Sequence, residues 1–420
     1  GCDGSHRFIN GSDTCVRPDG LFNQLAAGMT RGVALFGATG SIGESTLSVI
    51  RAHPERFHLD VVSAHASIEK LVRIVDEFQP KHVVLTDPAG ADELLAQLPH
   101  HFKGSVSFGE AALAEAATGA DVDVVMAAIV GGAGLLSTYA AVKAGKVVCL
   151  ANKESLVMGG ELMMQAAKAS GASLIPIDSE HNAIFQCLPM GYAAGEEIAG
   201  LRQLILTCSG GPFRTATTAS MRSATPAEAI AHPNWSMGQK ISVDSATLMN
   251  KGLELIEATH LFQVDQSAIE VVIHPESAIH SMVEYADGSM LAQLGSADMR
   301  IPIAHALGYP ERLAMDVERL SLSALGSMHF DPVDHEKFPA LGLARAASEA
   351  GGDRPVVLNA ANEIAVDAFL HARIGFMDIS PLVDQCLNQI ASQPISCLED
   401  VLAIDRIVRQ TAVELIGERA

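Results

Sequence analysis

Several things are scarce in this sequence, and each scarcity removes a class of protein. Of 420 residues only 28 are Lys or Arg, against 49 Asp or Glu, for a formal charge of −21. A nucleic-acid binder needs a basic face for phosphate contact, so no nucleic-acid partner is expected. No apolar run reaches the roughly 18 residues that span a bilayer. The longest, Val124 to Leu136, is interrupted by Gly131, Gly132 and Gly134, so no membrane partner is expected either. The seven cysteines (Cys2, Cys15, Cys149, Cys187, Cys208, Cys386, Cys397) are widely spaced and never form Cys-x-x-Cys. That suits reduced thiols in a cytoplasmic protein better than a disulfide framework or a zinc site. Repeats and low-complexity tracts are absent. With 48% hydrophobic and 18% charged residues, the chain is not a disordered one.

Residues 1–28 hold Gly, Asp, Ser and Asn without periodicity, and Met29 precedes the first strand-like run. They have no signal-peptide apolar core, and Asp3, Asp13 and Asp19 are unlike a transit peptide, so they read as an extension without a targeting segment. From Gly32 onward short β-branched runs alternate with helical patterns. Strands are predicted at 32–36, 59–63, 82–86, 122–127 and 146–150, with helices at 41–52 and 68–78. This rhythm implies right-handed crossovers and a parallel, doubly wound sheet of the Rossmann-like α/β class. After about Asn152 the pattern becomes α+β, with strands at 203–207, 271–274 and 289–293 and a hairpin turn at Asp287-Gly288. Beyond about Leu341 it is helical, at 355–370, 379–390 and 401–416. In the last, positions 401, 404, 408, 412 and 415 form one apolar face. The division drawn is 29–177 for a dinucleotide-binding domain, 178–312 for a catalytic and connective domain, 313–340 for a linker and 341–420 for a helical bundle.

The chemistry-bearing segments fall at strand ends. Gly37-Ala38-Thr39-Gly40-Ser41-Ile42-Gly43 follows the first strand and opens the first helix, where a dinucleotide needs a tight turn and free helix N–H groups. The second strand runs out through His65-Ala66-Ser67 with no carboxylate for a ribose 2′-OH, which leans toward NADP. Ala151-Asn152-Lys153-Glu154-Ser155 and Pro176-Ile177-Asp178-Ser179-Glu180-His181-Asn182 also follow strands. Asp178 and Glu180 flank a serine, and two readings stay open: a polar helix start capped by Asp178, or oxygen ligands for Mg²⁺ or Mn²⁺. Asn250, Lys251 and Glu254 share one helical turn, with Ser245 near a helix start. They form either a surface ion pair or a phosphate-binding face with Glu254 turned to a metal. Thr207-Cys208-Ser209-Gly210-Gly211 could form an anion nest. The single tryptophan, Trp235, lies in His232-Pro233-Asn234-Trp235-Ser236-Met237-Gly238, a composition of a lid loop more than of a core strand. His274, His280 and His305 stand in apolar contexts and read as structural.

Together these segments resemble the 1-deoxy-D-xylulose 5-phosphate reductoisomerase family. The resemblance is carried by residues 37–43, 126–135, 150–157, 176–188, 209–214, 232–254 and 359–366, in order, over nearly all of the chain past the extension. It implies NADPH- and metal-dependent rearrangement and reduction of 1-deoxy-D-xylulose 5-phosphate to 2-C-methyl-D-erythritol 4-phosphate, a step of non-mevalonate isoprenoid precursor biosynthesis. It further implies a homodimer. Asp178, Glu180 and Glu254 fall on the family's metal positions, with Mg²⁺ or Mn²⁺ expected. Lys153, Ser179, Ser209, His232, Ser245, Asn250 and Lys251 fall on its substrate positions, and Trp235 on its lid. Gly37, Thr39, Gly40, Ser41, Ile42, His65, Asn152, Glu154 and Gly238 make up the expected cofactor set. Lys153 would add a positive donor, and Glu180 is a candidate proton shuttle. Where many members carry Gly-Lys-Asn or Gly-Arg-Asn, this chain has His65-Ala66-Ser67, which leaves the 2′-phosphate contact unassigned. Two rivals remain: another NADP oxidoreductase, such as a semialdehyde dehydrogenase using Cys149 or Cys208, and an NADP-binding sensor without catalysis.

Overall fold

The computed structural model describes residues 30–235 and 237–417; the extension over 1–28, with Cys2 and Cys15, lies outside the described residues. Seven strands form the first sheet: β1 (Arg31–Phe36), β2 (Phe57–Ala64), β3 (His82–Leu85), β4 (Ser105–Phe108), β5 (Val124–Ala127), β6 (Val147–Leu150) and β7 (Ser173–Pro176). Their order is β4-β3-β2-β1-β5-β6-β7, and every pairing is parallel. Helices cover both faces, so β1 reads as a continuous apolar run in which Val33, Ala34, Leu35 and Phe36 are fully buried. The chain builds outward from β1 to β4 and then returns to lay β5 against the other side of β1. Between β1 and β5 the order reverses, which opens a crevice at the carboxyl ends of the strands.

The first helix, α1 (Ser41–Ala52), and the second, α2 (Ile68–Phe78), occupy the predicted spans. β4 was not foreseen. It is a four-residue edge strand, SVSF, with no fully buried position, so neither length nor pattern marks it.

The second sheet holds β8 (Leu201–Cys208), β9 (Ile269–Ile273), β10 (Ile279–Tyr285), β11 (Met290–Leu294) and β12 (Asp331–Pro332), in the order β11-β10-β8-β9-β12. The expected turn joins β10 to β11: Gly288 has φ +86°, and Asp287 Oδ1 accepts the Ser289 N–H at 2.9 Å. β10 was missed as a strand because His280 and Ser281 interrupt its apolar run, although Ser281 is fully buried. The stretch 313–340 is mostly irregular, but its Asp331–Pro332 pairs antiparallel with β9.

Three helices carry the active-site side chains between the sheets: α3 (Lys153–Ser170), α4 (Ser179–Cys187) and, after α5 (Gln239–Thr247), α6 (Met249–Phe262). Four more close the chain: α7 (Pro339–Ala350), α8 (Arg354–Leu370), α9 (Ile379–Gln389) and α10 (Leu398–Gly417). α8 is surrounded by its neighbours, with Val356, Val357, Leu358, Ala360, Ala361 and Ala365 all fully buried. On α10 the five positions predicted to face inward are at most 5% exposed. No helix among the described residues is long and apolar enough to cross a membrane.

Candidate active site

At the end of β1 the Gly-rich turn is shaped by what surrounds it. Gly37 has φ +80°, and a Cβ there would lie 2.6 Å from the Ala128 carbonyl oxygen, so the β1 turn and the segment after β5 touch. The Gly37 N–H donates to Ser63 Oγ at 3.1 Å. Gly40 occupies the N-cap of α1 and offers no capping side chain, which leaves the first-turn N–H groups of Ser41 and Ile42 open to an anion. Thr39 stands half-buried in the same turn. His65, exposed at the end of β2, shares a hydrogen bond with Thr86 Oγ1 at 3.0 Å. A base lies one turn on, beside the Gly-rich turn: Lys70 Nζ sits 2.9 Å from Glu44 Oε1 and donates to the Thr39 carbonyl at 3.4 Å. Sequence reading stopped at Ser67 and missed it; its signal was a lysine in the first turn of α2.

The start of α3 reaches three ways. Asn152 Oδ1 caps the helix by accepting the Ser155 N–H at 2.7 Å, while its amide donates to the carbonyls of Ile129 and Gly131. Glu154 turns to Lys240, with Oε1 2.7 Å from Nζ. Gly238, expected in the cofactor set, is the exposed N-cap of α5.

Lys153 points into a buried cluster of charges. Its Nζ lies 2.5 Å from Asp178 Oδ2 and 3.0 Å from Glu254 Oε1, and donates to Asn250 Oδ1 at 2.7 Å. Lys251 Nζ sits 2.8 Å from Glu180 Oε1 and also pairs with Glu254 Oε2. Ser179 Oγ donates to Glu180 Oε2 at 2.5 Å. Burial pulls the Lys153 ammonium down, but Asp178, Glu254 and Glu257 hold it well above its ordinary value. For Lys251 burial is likewise overcome, by Glu180 and then Glu254. Burial and Glu254 push Glu180 up, yet Lys251 and Ser179 leave it below the ordinary carboxylate value.

Asp178, Glu180 and Glu254 each bring an oxygen within 4.8 Å of the others. Three carboxylates face two ammoniums, which leaves a negative charge in a buried place. Asp178 holds the N-cap position of α4 without capping it, and its buried Oδ2 turns to the Lys153 ammonium instead. The capping reading of Asp178 therefore fails, and the all-oxygen donor set fits a hard divalent cation. Behind it, His181 Nε2 donates to the Glu254 carbonyl at 2.8 Å, and Nδ1 faces Glu257 Oε2 at 3.3 Å. Burial pushes the Glu257 carboxyl up to about 7, with His181 opposing and Asp178 adding.

The third group gathers at the end of β8. Gly210 and Gly211 have φ of +80° and +65°, and the Gly211 N–H donates to Ser209 Oγ at 3.1 Å. His232 Nδ1 accepts the N–H groups of Asn234 and Trp235 at 3.2 and 3.0 Å, so its proton is on Nε2, which lies 2.9 Å from Ser209 Oγ. Burial lowers the His232 pKa, with Glu180 opposing, which keeps the ring neutral. Ser209 Oγ thus accepts twice and keeps its own O–H for a ligand. Ser245 lies in the last turn of α5, not near a helix start, and a Cβ on Gly211 would come 2.7 Å from its carbonyl. Asn234 ties the loop to Pro275 O and Ser277 Oγ, both at 2.8 Å. Trp235 is half-buried with its ring 6.1 Å from His280, and Ser179, Asn182, Ser296 and Asp298 line the same cleft. His280, read as structural, therefore borders the Trp235 loop. His274 and His305 are held by the fold: the first through Ala278, Ile279 and His329, the second through Asn182.

Three family models match the chain: 1-deoxy-D-xylulose 5-phosphate reductoisomerase over residues 33–160, and two C-terminal domains of that enzyme over 174–262 and 294–411. A relative from Stutzerimonas stutzeri of the same description is 54% identical over 383 residues, 90% of this chain and 96% of the relative. The chain belongs to the 1-deoxy-D-xylulose 5-phosphate reductoisomerase family. Another relative, from Acinetobacter baumannii, is 52% identical over 93% of this chain and 99% of its own length. Among solved structures, a reductoisomerase in complex with NADPH, fosmidomycin and magnesium has a TM-score of 0.90 at 47% identity, covering 92% of this chain and 98% of that one. The reductoisomerase from Zymomonas mobilis in complex with NADPH has a TM-score of 0.85 at 47% identity, covering 92% and 99%.

The carboxylate cluster makes a prediction of its own. Mn²⁺ binding, followed as loss of the free-ion EPR signal, should weaken at least about tenfold in Glu254→Gln, since one of three charged ligands is gone. Unchanged affinity would remove Glu254 from the ligand set.

Proposed function

We infer that this protein converts 1-deoxy-D-xylulose 5-phosphate to 2-C-methyl-D-erythritol 4-phosphate as an NADP-dependent oxidoreductase that also requires Mg²⁺ or Mn²⁺. The observation that carries the reading is the Asp178–Glu180–Glu254 cluster, which stands beside the dinucleotide crevice of one sheet and is linked to it by consecutive residues Asn152 and Lys153. When bound, the divalent ion supplies Lewis acidity at the substrate's oxygens, and NADPH supplies the hydride that reduces the rearranged carbonyl.

The chain's own residues supply the rest. Asp178, Glu180 and Glu254 would hold the ion, and the N–H groups at Thr39 to Ile42 would hold the cofactor's pyrophosphate. Lys153, kept charged by its carboxylate neighbours, donates to substrate oxygen as negative charge develops there. A proton-moving role for Glu180 is supported by its hydrogen bond with Ser179. Ser209, whose O–H is left free by His232, joins Ser245, Asn250 and Lys251 in anchoring the phosphate. Binding energy from that remote group then helps to close the Trp235 loop and exclude water.

The rival that needs a cysteine nucleophile is disfavoured, because burial pushes Cys149 up to about 12 and Cys208 up to about 11, and thiolate is the reactive form. A non-catalytic sensor leaves the carboxylate cluster without a purpose. The boundary at 177/178 is supported by the sheets, since β1 to β7 come from 31–176 and β8 to β11 from 201–294; β12, at 331–332, joins the second sheet from the stretch drawn as a linker. A cytoplasmic setting is supported by the five described cysteines, all free.

A homodimer is supported by β11, an edge strand that leaves Met290, Leu291 and Leu294 between 36% and 50% exposed. Such an edge is self-complementary across a two-fold axis, and a second copy is its proposed occupant.

Three tests follow from this reading. NADPH oxidation at 340 nm should require both the keto-sugar phosphate and Mg²⁺ or Mn²⁺, survive iodoacetamide and stop with EDTA; a flat trace would favour the sensor. Lys70→Ala should raise the KM for NADPH about tenfold by loss of a charged phosphate contact while leaving that for NADH unchanged; equal effects on both would exclude Lys70 from the 2′-phosphate. Light scattering should find a dimer, and Leu291→Lys with Leu294→Lys should yield active-site-intact monomers; a dimer that persists would move the interface elsewhere.

A further inference from the structure

One peptide bond in the crevice wall is gripped from two parts of the molecule. The carbonyl of Gly131 accepts from Asn152 Nδ2 at 2.9 Å, while the N–H of Gly132, on the same peptide plane, donates to Glu363 Oε1 at 3.1 Å. Glu363 comes from α8, in the helical part of the chain, 231 residues away. Its carboxylate is itself fixed. Asn359, one turn earlier on α8, donates to Oε1 at 3.0 Å, and Arg409 of α10 donates to Oε2 at 2.6 Å. Arg409 is steadied in turn by Asp405 at 2.8 Å. There is no spare room in this arrangement. A Cβ on Gly131, which has φ +76°, would lie 3.1 Å from Glu363 Oε1, and one on Gly132 would lie 3.2 Å from Met158 Sδ.

The gripped peptide stands where the sheet reverses its strand order. Its loop begins at Ala128, directly against Gly37 of the phosphate turn, and the amide of Asn152 holds it at Ile129 as well as at Gly131. The other end of the Asn152 side chain caps α3, whose first residue is Lys153. Displacing the Gly131–Gly132 peptide therefore moves the crevice wall and the Asn152 carboxamide together.

We propose that Glu363 is a positioning residue for the cofactor crevice: through the Gly131–Gly132 peptide it orients Asn152 and the wall against which NADPH binds. The inference rests on the reading of this crevice as the NADPH site. What Glu363 contributes is an acceptor oxygen at a fixed place, and its charge pair with Arg409 serves to keep it there. A carboxamide keeps that oxygen, whereas a thioether of similar length does not.

The test is calorimetric titration of NADPH into the full chain without substrate, with thermal unfolding alongside. Glu363→Met should weaken NADPH about tenfold, the effect of one half-buried N–H left unpaired. Its KM for the keto-sugar phosphate should stay within about twofold, because the Lys251 and Ser209 contacts are untouched. Glu363→Gln should bind NADPH within about twofold of the unaltered protein even though its Tm falls with the loss of the Arg409 pair. A purely structural role predicts that NADPH affinity follows Tm in both variants, and that result overturns the proposal. So does wild-type affinity in Glu363→Met. If Glu363→Met does not fold, hydrogen exchange of the unaltered protein decides: NADPH should slow exchange across both 128–135 and 354–370, and protection confined to 128–135 overturns the proposal. Failure of the unaltered protein to bind NADPH at all would instead remove the cofactor reading on which it rests.

Discussion

Charges buried together need each other, and in this fold that requirement holds three distant stretches of chain in place. Asp178 and Glu180 come from the end of β7, Lys153 from the end of β6, and Asn250, Lys251 and Glu254 from α6. None of the five charged side chains among them is more than 17% exposed. Removing one partner from such a group leaves an uncompensated charge in a low-dielectric place, which costs far more than losing a surface pair. The same electrostatics leave the cluster one positive charge short. Stability and affinity for a divalent ion thus arise from a single imbalance.

The order of the parallel sheet decides what stands beside that cluster. Since β5 and β6 follow β1 in space, the segments after Phe36, Ala127 and Leu150 lie side by side at one edge. Asn152, Lys153 and Glu154 are adjacent in sequence yet serve three directions: the crevice wall, the carboxylates and Lys240. The crevice wall and the carboxylate cluster stand side by side because two neighbouring side chains, Asn152 and Lys153, reach one each. The helical part closes this edge from behind, and its polar contacts reach the nucleotide side of the molecule.

Much of this was legible in the sequence where local pattern and environment agree. β1 is apolar from Val33 to Phe36 because both faces are covered, and the face of α10 repeats at helical spacing because one side is buried. The residues of the carboxylate cluster stood out since acid-rich turns after apolar strands are unusual in an interior. What escaped depends on partners far away in sequence. β10 tolerates His280 because the backbone of Gly295 and Ser296 and the ring of Trp235 receive it, whereas Ser281 is fully buried with its Oγ unpaired. Lys70 matters only because α1 and α2 start side by side, and Glu363 looks like an ordinary helix residue until Gly132 is seen against it. The acidic balance says nothing about small anions, since Lys153, Lys251 and backbone N–H groups gather at one cleft.

The loop from His232 to Gly238 contains the chain's one indole, and the protein has only four tyrosines besides. Trp235 is half-buried on a segment fastened through His232 and Asn234 to two different parts of the second sheet. Light absorbed at the red edge of the near-ultraviolet band is therefore taken up and re-emitted from this single point. The molecule carries its own optical reporter at the cleft that Ser179 and His280 also line, and no label has to be introduced to watch it.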